Sequence, residues 1–174
     1  MILPAEAVLL GMGTGCSDNS GNKAQDMAKK ALMASVDNPE SANFVGISQP
    51  DSVFGREYVT MKEKMALSVA MMKISHRFME DVDFDYPDSE CHGMSGQMIR
   101  QMDAMTALRS LMVTGELKPA GGEAIQERKP FSGWKVKIEY EATDSDGQPY
   151  RSEYWFIMDK EAQCVIRSFE IPLL

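Results

Sequence analysis

The sequence predicts an α+β domain in which three helices pack on an antiparallel sheet of three to four strands, ending in a C-terminal meander. Three observations predict it. Trp134, Val136, Ile138, Tyr140 and Ala142 alternate with Lys135, Lys137, Glu139, Glu141 and Thr143, the period-two pattern of a half-buried strand. Asp144-Ser145-Asp146-Gly147 follows, with Asp at the turn start and Gly where positive φ is needed, as in a type I turn closed by a G1 bulge. Upstream, three stretches carry apolar residues at helical spacing, and helices followed by a run of strands read as α+β.

The first turn sets a register. A three-residue loop pairs Asp144 with Gln148, which places Ile138 opposite Tyr154, Val136 opposite Phe156 and Trp134 opposite Met158, all on one face. A two-residue loop would bring Trp155 and Ile157 onto that face instead and would gather less apolar area. On the first register Ile138→Ala would cost about 2–5 kcal/mol as a core truncation. Lys137→Ala, on the other face, would cost within about 0.5 kcal/mol as a surface change, and Gly147→Val would destabilise the turn because a β-branched side chain resists positive φ. A second turn, Asp159-Lys160-Glu161-Ala162, has the same shape with Ala162 in the Gly position. The strand after it adds Cys164 and Ile166 to the core face.

Residues 22–36 read as a helix, with Ala24, Met27, Ala28, Ala31, Leu32 and Val36 at helical spacing. Asn38-Pro39 stops it. Residues 41–47 are a short candidate fourth strand and 49–59 a loop. Thr60-Met61-Lys62-Glu63 fits the capping box, in which the Thr hydroxyl accepts an N–H three residues on and the Glu reaches back. The helix it opens runs to about residue 79 and is apolar on most sides, so it is expected to be central or sandwiched. A third helix spans residues 95–114 with Met98, Met102, Met105, Leu108 and Met112 as its stripe, and Gly115 stops it. Two prolines and Gly121-Gly122 mark residues 116–132 as an exposed loop.

A chain of 174 residues, 44% apolar and 25% charged, suits one globular domain, with residues 1–21 a signal-like or tether segment and 22–174 the domain. The formal net charge is −8 and no basic stripe carries interleaved aromatics, which argues against nucleic acid as a partner. Two histidines leave little for acid–base chemistry at neutral pH.

Ala7-Val8-Leu9-Leu10-Gly11-Met12-Gly13-Thr14-Gly15 is apolar and small, ends at Cys16, and gives way to a polar tether at residues 17–22. This resembles the tail of a bacterial lipoprotein signal, with Gly15 suited to the position before an acylated cysteine. Gly13 departs from the usual Leu, and no basic n-region precedes the run. The resemblance implies lipidation at Cys16 and a periplasmic or cell-envelope location, with membrane attachment through the lipid alone. The alternative is an unlipidated N-terminal segment on a cytoplasmic protein. Together with the junction from Pro39 to Phe44 and the meander, the Cys16 region makes the chain resemble uncharacterised exported lipoproteins of gut bacteria. Helices on one face of a curved antiparallel sheet would be similar to cystatin-like or NTF2-like folds, and fold alone assigns no function.

Few residues suggest chemistry. Asp81, Asp83 and Asp85 mimic the start of a calcium loop, but Tyr86 stands where the turn needs Gly and His92 where a bidentate Glu belongs, so a solvated acidic loop is expected. Met94, Met98, Met102 and Met105 match thioether copper ligands in spacing and core filler in context. Cys91, His92, Cys164 and His76 lack the paired spacing of a zinc site. No metal or cofactor is expected. In an oxidising compartment Cys91 and Cys164 can pair as a disulfide. The P-loop, dinucleotide and nucleophile-elbow fingerprints are absent.

The second sheet face carries Trp155, Ile157, Val165 and Phe169 beside Lys135, Lys137 and Arg167, with Arg167 opposite Trp155 as a cation–π pair. Either the first or third helix covers this face or it is a binding surface for a protein or small-molecule partner. Two functions follow as expectations: a non-catalytic binding or accessory module using Trp155, Arg167, Lys135, Lys137 and Phe169, or a small NTF2-like enzyme. The enzyme would need a pocket between helices and sheet that holds at least two of Glu153, Asp159, Tyr154 and His76.

Overall fold

In chain order the elements are α1 (Asn19–Ser35), β1 (Asn43–Ile47), β2 (Asp51–Phe54), α2 (Met61–Asp81), α3 (Gly96–Val113), β3 (Phe131–Thr143), β4 (Pro149–Met158) and β5 (Val165–Pro172). This computed structural model describes residues 19–55, 58–81, 95–113 and 130–173. Cys16, Cys91, His92, Met94 and the acidic stretch after Asp81 lie outside the described residues, so the lipidation, disulfide, zinc, copper and calcium expectations fall there. The same holds for most of the expected loop at 116–132.

The β3–β4 hairpin sets the frame. Asp144 N–H donates to the Gln148 carbonyl at 2.9 Å, Gly147 takes φ +77°, and Asp144 Oδ1 accepts the N–H groups of Asp146 and Gln148. The pairing is the expected one: Ile138 opposite Tyr154, Val136 opposite Phe156 and Trp134 opposite Met158. On that face α1 presents Ala24, Ala28 and Leu32, one per turn, and Val36 follows just past its end, all toward Val136, Ile138, Tyr140, Phe156 and Met158. The small alanines let the helix axis approach the sheet, and Ile138 is fully buried beneath it. Denaturant melts of Ile138→Ala should therefore show the loss of about 2–5 kcal/mol given above. A loss under about 1 kcal/mol would contradict the burial.

The sheet has five strands in the order β1-β3-β4-β5, with β2 also on β3. β1 and β2 follow one another along the same edge of β3, and Ser48 bridges them by donating its N–H to the Lys137 carbonyl. β2 replaces part of the loop expected at 49–59. Only Val53 of its four residues is buried, so it has no alternation to read.

The helices divide between the two faces, which departs from the one-faced arrangement expected. α2 and α3 cover the second face through Leu67, Ile74, Ala104, Leu108 and Leu111, packed on Trp155, Ile157, Phe169 and Ile171. α2 opens on the expected capping box: Thr60 N–H donates to Glu63 Oε2 at 2.9 Å and Glu63 N–H donates to Thr60 Oγ1 at 3.2 Å. The buried stripe of α3 is Gln101, Ala104, Leu108 and Leu111, offset from the expected methionine stripe, and Met102 and Ile99 are exposed.

The register of β5 also differs from expectation. Ala162 takes φ +52° and donates its N–H to the Asp159 carbonyl, as Gly147 does to Asp144. This loop is one residue longer, however, with Asp159 N–H on the Cys164 carbonyl. A bulge between Ile157 and Met158 adds a second offset. Trp155 therefore faces Phe169, Arg167 faces Ile157, and Cys164 and Ile166 are exposed instead of joining the core.

Candidate functional site

The second sheet face is closed. Trp155 and Phe169 are each 4% exposed and Lys135 is 2% exposed, because α2 and α3 lie over them. Of the expected surface residues, Trp155, Lys135 and Phe169 are buried under these helices, while Lys137 and Arg167 are partly exposed. Part of that set is brought together around Glu63. Lys135 Nζ and Lys137 Nζ each lie 2.7 Å from a Glu63 oxygen, and Asp51 adds a 3.1 Å contact to Lys135. Lys137 Nζ sits 3.8 Å from the Trp155 ring centroid. Arg167 instead donates to Ser110 Oγ on α3 at 2.6 Å.

Burial pushes the Glu63 carboxyl up, but hydrogen bonds from Lys135, Lys137 and the Thr60 N–H outweigh it and hold the group at about 2. Each polar group of the cluster is spent on another, so the cluster clamps the start of α2 to the sheet. Lys137 accordingly has a structural role, and Lys137→Ala should cost more than the 0.5 kcal/mol of a surface change.

An open cleft lies elsewhere. A cleft of about 630 Å³ is bounded by Ser35 at the end of α1 and Asp37 just after it, by Ile99, Arg100, Asp103 and Ala107 of α3, and by Tyr140, Tyr150, Tyr154, Phe169 and Glu170 of the sheet. Arg100 is held by Asp144 at 3.1 Å and Asp37 at 3.3 Å, and its guanidinium lies 3.7 Å over the Tyr150 ring centroid. Tyr140 donates its hydroxyl to Glu170 Oε1 at 2.9 Å. Burial, then the Glu170 carboxylate and Tyr150, push the Tyr140 phenol far above its usual value; burial also raises Tyr150. Both stay protonated at any physiological pH, as aromatic walls with fixed hydroxyls. Tyr154 stacks on Phe156 at 4.7 Å, which orients its ring.

Of the four acid–base candidates, Tyr154 alone lines this cleft. Glu153 accepts the Trp155 indole N–H. Asp159 accepts the N–H groups of Cys164 and Gln163, which hold its carboxyl below the usual range. His76 pairs with Glu80 on exposed α2. Asp37, Arg100, Tyr150 and Glu170 were not singled out by the sequence, because they come from four segments with no shared motif. The pairing of Tyr140 with a carboxylate follows only from the β5 register.

Among the described residues no group of three or more His, Cys, Asp or Glu could hold a metal ion, and no helix is long and apolar enough to cross a membrane. The chain matches no protein-family model, no curated protein and no solved structure.

Proposed function

We propose that the protein is a non-catalytic binding or accessory module that takes a small organic cation in the tyrosine-lined cleft. The observation that carries this reading is the charge left over in the cleft. The positive charge of Arg100 is matched by Asp144 and Asp37, so Asp103 and Glu170 leave an excess of negative charge beside Tyr150, Tyr154 and Phe169. An ammonium or guanidinium group with an apolar body would meet carboxylates and the faces of aromatic rings together. The alternative, a small NTF2-like enzyme with a pocket between helices and sheet, is less well supported. The raised phenols are poor proton carriers at neutral pH, and Glu153, Asp159 and His76 are engaged elsewhere. We place the module in the cell envelope, anchored through Cys16, on the resemblance of residues 7–22 to a lipoprotein signal. Intact mass of the protein from its native membrane fraction tests that anchor, and an unmodified chain retaining residues 1–15 would refute it.

Two probes with the same body and opposite charge test the cleft. Phenethylammonium should shift the amide resonances of Arg100, Tyr150 and Tyr154, and phenylacetate should not. Asp103→Asn, at an exposed position of α3, should weaken phenethylammonium binding by about tenfold through loss of a charged contact. Equal responses to both probes, or shifts confined to other residues, would sink the reading.

A further inference from the structure

α2 has a second apolar stripe that nothing among the described residues covers. Met61, Met65, Val69, Met72 and Met79 are between 49% and 73% exposed. At 3.6 residues per turn they fall within about a quarter of the helix circumference, on the side away from Leu67 and Ile74. Met65, Met72 and Met79 are spaced seven apart, the repeat that keeps a seam straight along a pair of supercoiled helices. The 21 residues of α2 span three heptads. Met102 of α3, also exposed, adds apolar area on the neighbouring helix. His76, exposed between Met72 and Met79, is the polar residue within the stripe. An exposed stripe of this kind marks an interaction surface, and methionine adapts to an opposing surface more readily than branched side chains do.

We propose that this stripe is the seam of a two-fold, antiparallel homodimer. The charges select that occupant. Lys62 and Glu80 are eighteen residues apart, five helical turns, so they lie on the same flank of the stripe at opposite ends. Antiparallel pairing of two copies centred near residue 70 sets Met61 against Met79 of the partner subunit and Lys62 against Glu80 of the partner subunit, twice by symmetry. A second copy supplies a stripe of matching length and spacing. The two α2–α3 pairs would then meet as a four-helix layer. An anionic bilayer fits less well, since the chain carries a net charge of −8.

Sedimentation equilibrium of the full chain over a concentration series tests this. The expected result is a monomer–dimer equilibrium that Met65→Lys or Met72→Lys abolishes, since a charge at an exposed position leaves the fold intact and spoils the seam. Lys62→Glu alone and Glu80→Lys alone should each weaken the dimer, and the double swap should restore it. A monomer throughout the series, a dimer that survives Met72→Lys, or single swaps that the double swap fails to rescue would each overturn the proposal. A monomer in solution that sediments with phosphatidylglycerol vesicles would do the same and assign the stripe to a membrane surface.

Discussion

Gly133→Ala is expected to cost more than about 4 kcal/mol of folding free energy. A Cβ on Gly133 would lie 1.9 Å from the Met158 carbonyl oxygen and 3.0 Å from its carbon. These atoms are backbone. They are held by the pairing of Trp134 with Met158 and by the turn that begins at Asp159, so no side chain can swing away to make room. Relief requires the β3–β4 ladder to part at the end where Phe131 stacks edge-on against Trp134. Gly46→Ala is the control. A Cβ there meets nothing within 4 Å, and the change should stay within about 0.5 kcal/mol. Urea melts of both variants decide it, and a Gly133→Ala protein within 1 kcal/mol of the parent would show that the close approach relaxes freely.

Glu63→Gln is expected to cost about 3–5 kcal/mol, the usual penalty for breaking a buried ion pair from one side. Lys135 would keep Asp51 alone as its anion, while itself almost fully buried, and Lys137 would lose its carboxylate partner over Trp155. The capping box would lose its charged acceptor at the same time. The same residue predicts the acid limb of stability. Its folded value of about 2 lies below the unfolded value of 4.5, so its contribution is complete above about pH 4.5 and fades as pH falls toward 2. The shift corresponds to about 3 kcal/mol for a carboxyl whose side chain is only 15% exposed. Stability measured in urea from pH 6 to pH 2 should fall more steeply in the parent than in Glu63→Gln. Parallel curves would assign the acid loss to other carboxylates.

The local architecture was determined by the sequence wherever one short motif suffices. Asp144 and Gly147 fix the β3–β4 register, because a positive φ three residues after an Asp admits few backbone paths. Thr60 and Glu63 start α2 through bonds three residues apart, and Ala24, Ala28 and Leu32 define the face of α1 by their spacing alone. What only the tertiary structure decided is which surfaces those elements turn to one another. An α2 that is apolar on most sides does not say which side meets the sheet, so the covering of Trp155 could not be read from its sequence. The longer turn after Asp159 and the bulge at Ile157 together shift β5 by two residues, which moves Arg167 away from Trp155 and places Glu170 beside Tyr140, and no local pattern announces either offset. Glu63 reaches Lys135 across 72 positions, and the cleft gathers Asp37, Arg100, Tyr150 and Glu170 from four segments. Local hydrogen bonds constrain dihedral angles within a few residues, whereas these contacts depend on how whole faces pack, and that is settled by the burial of the complete chain.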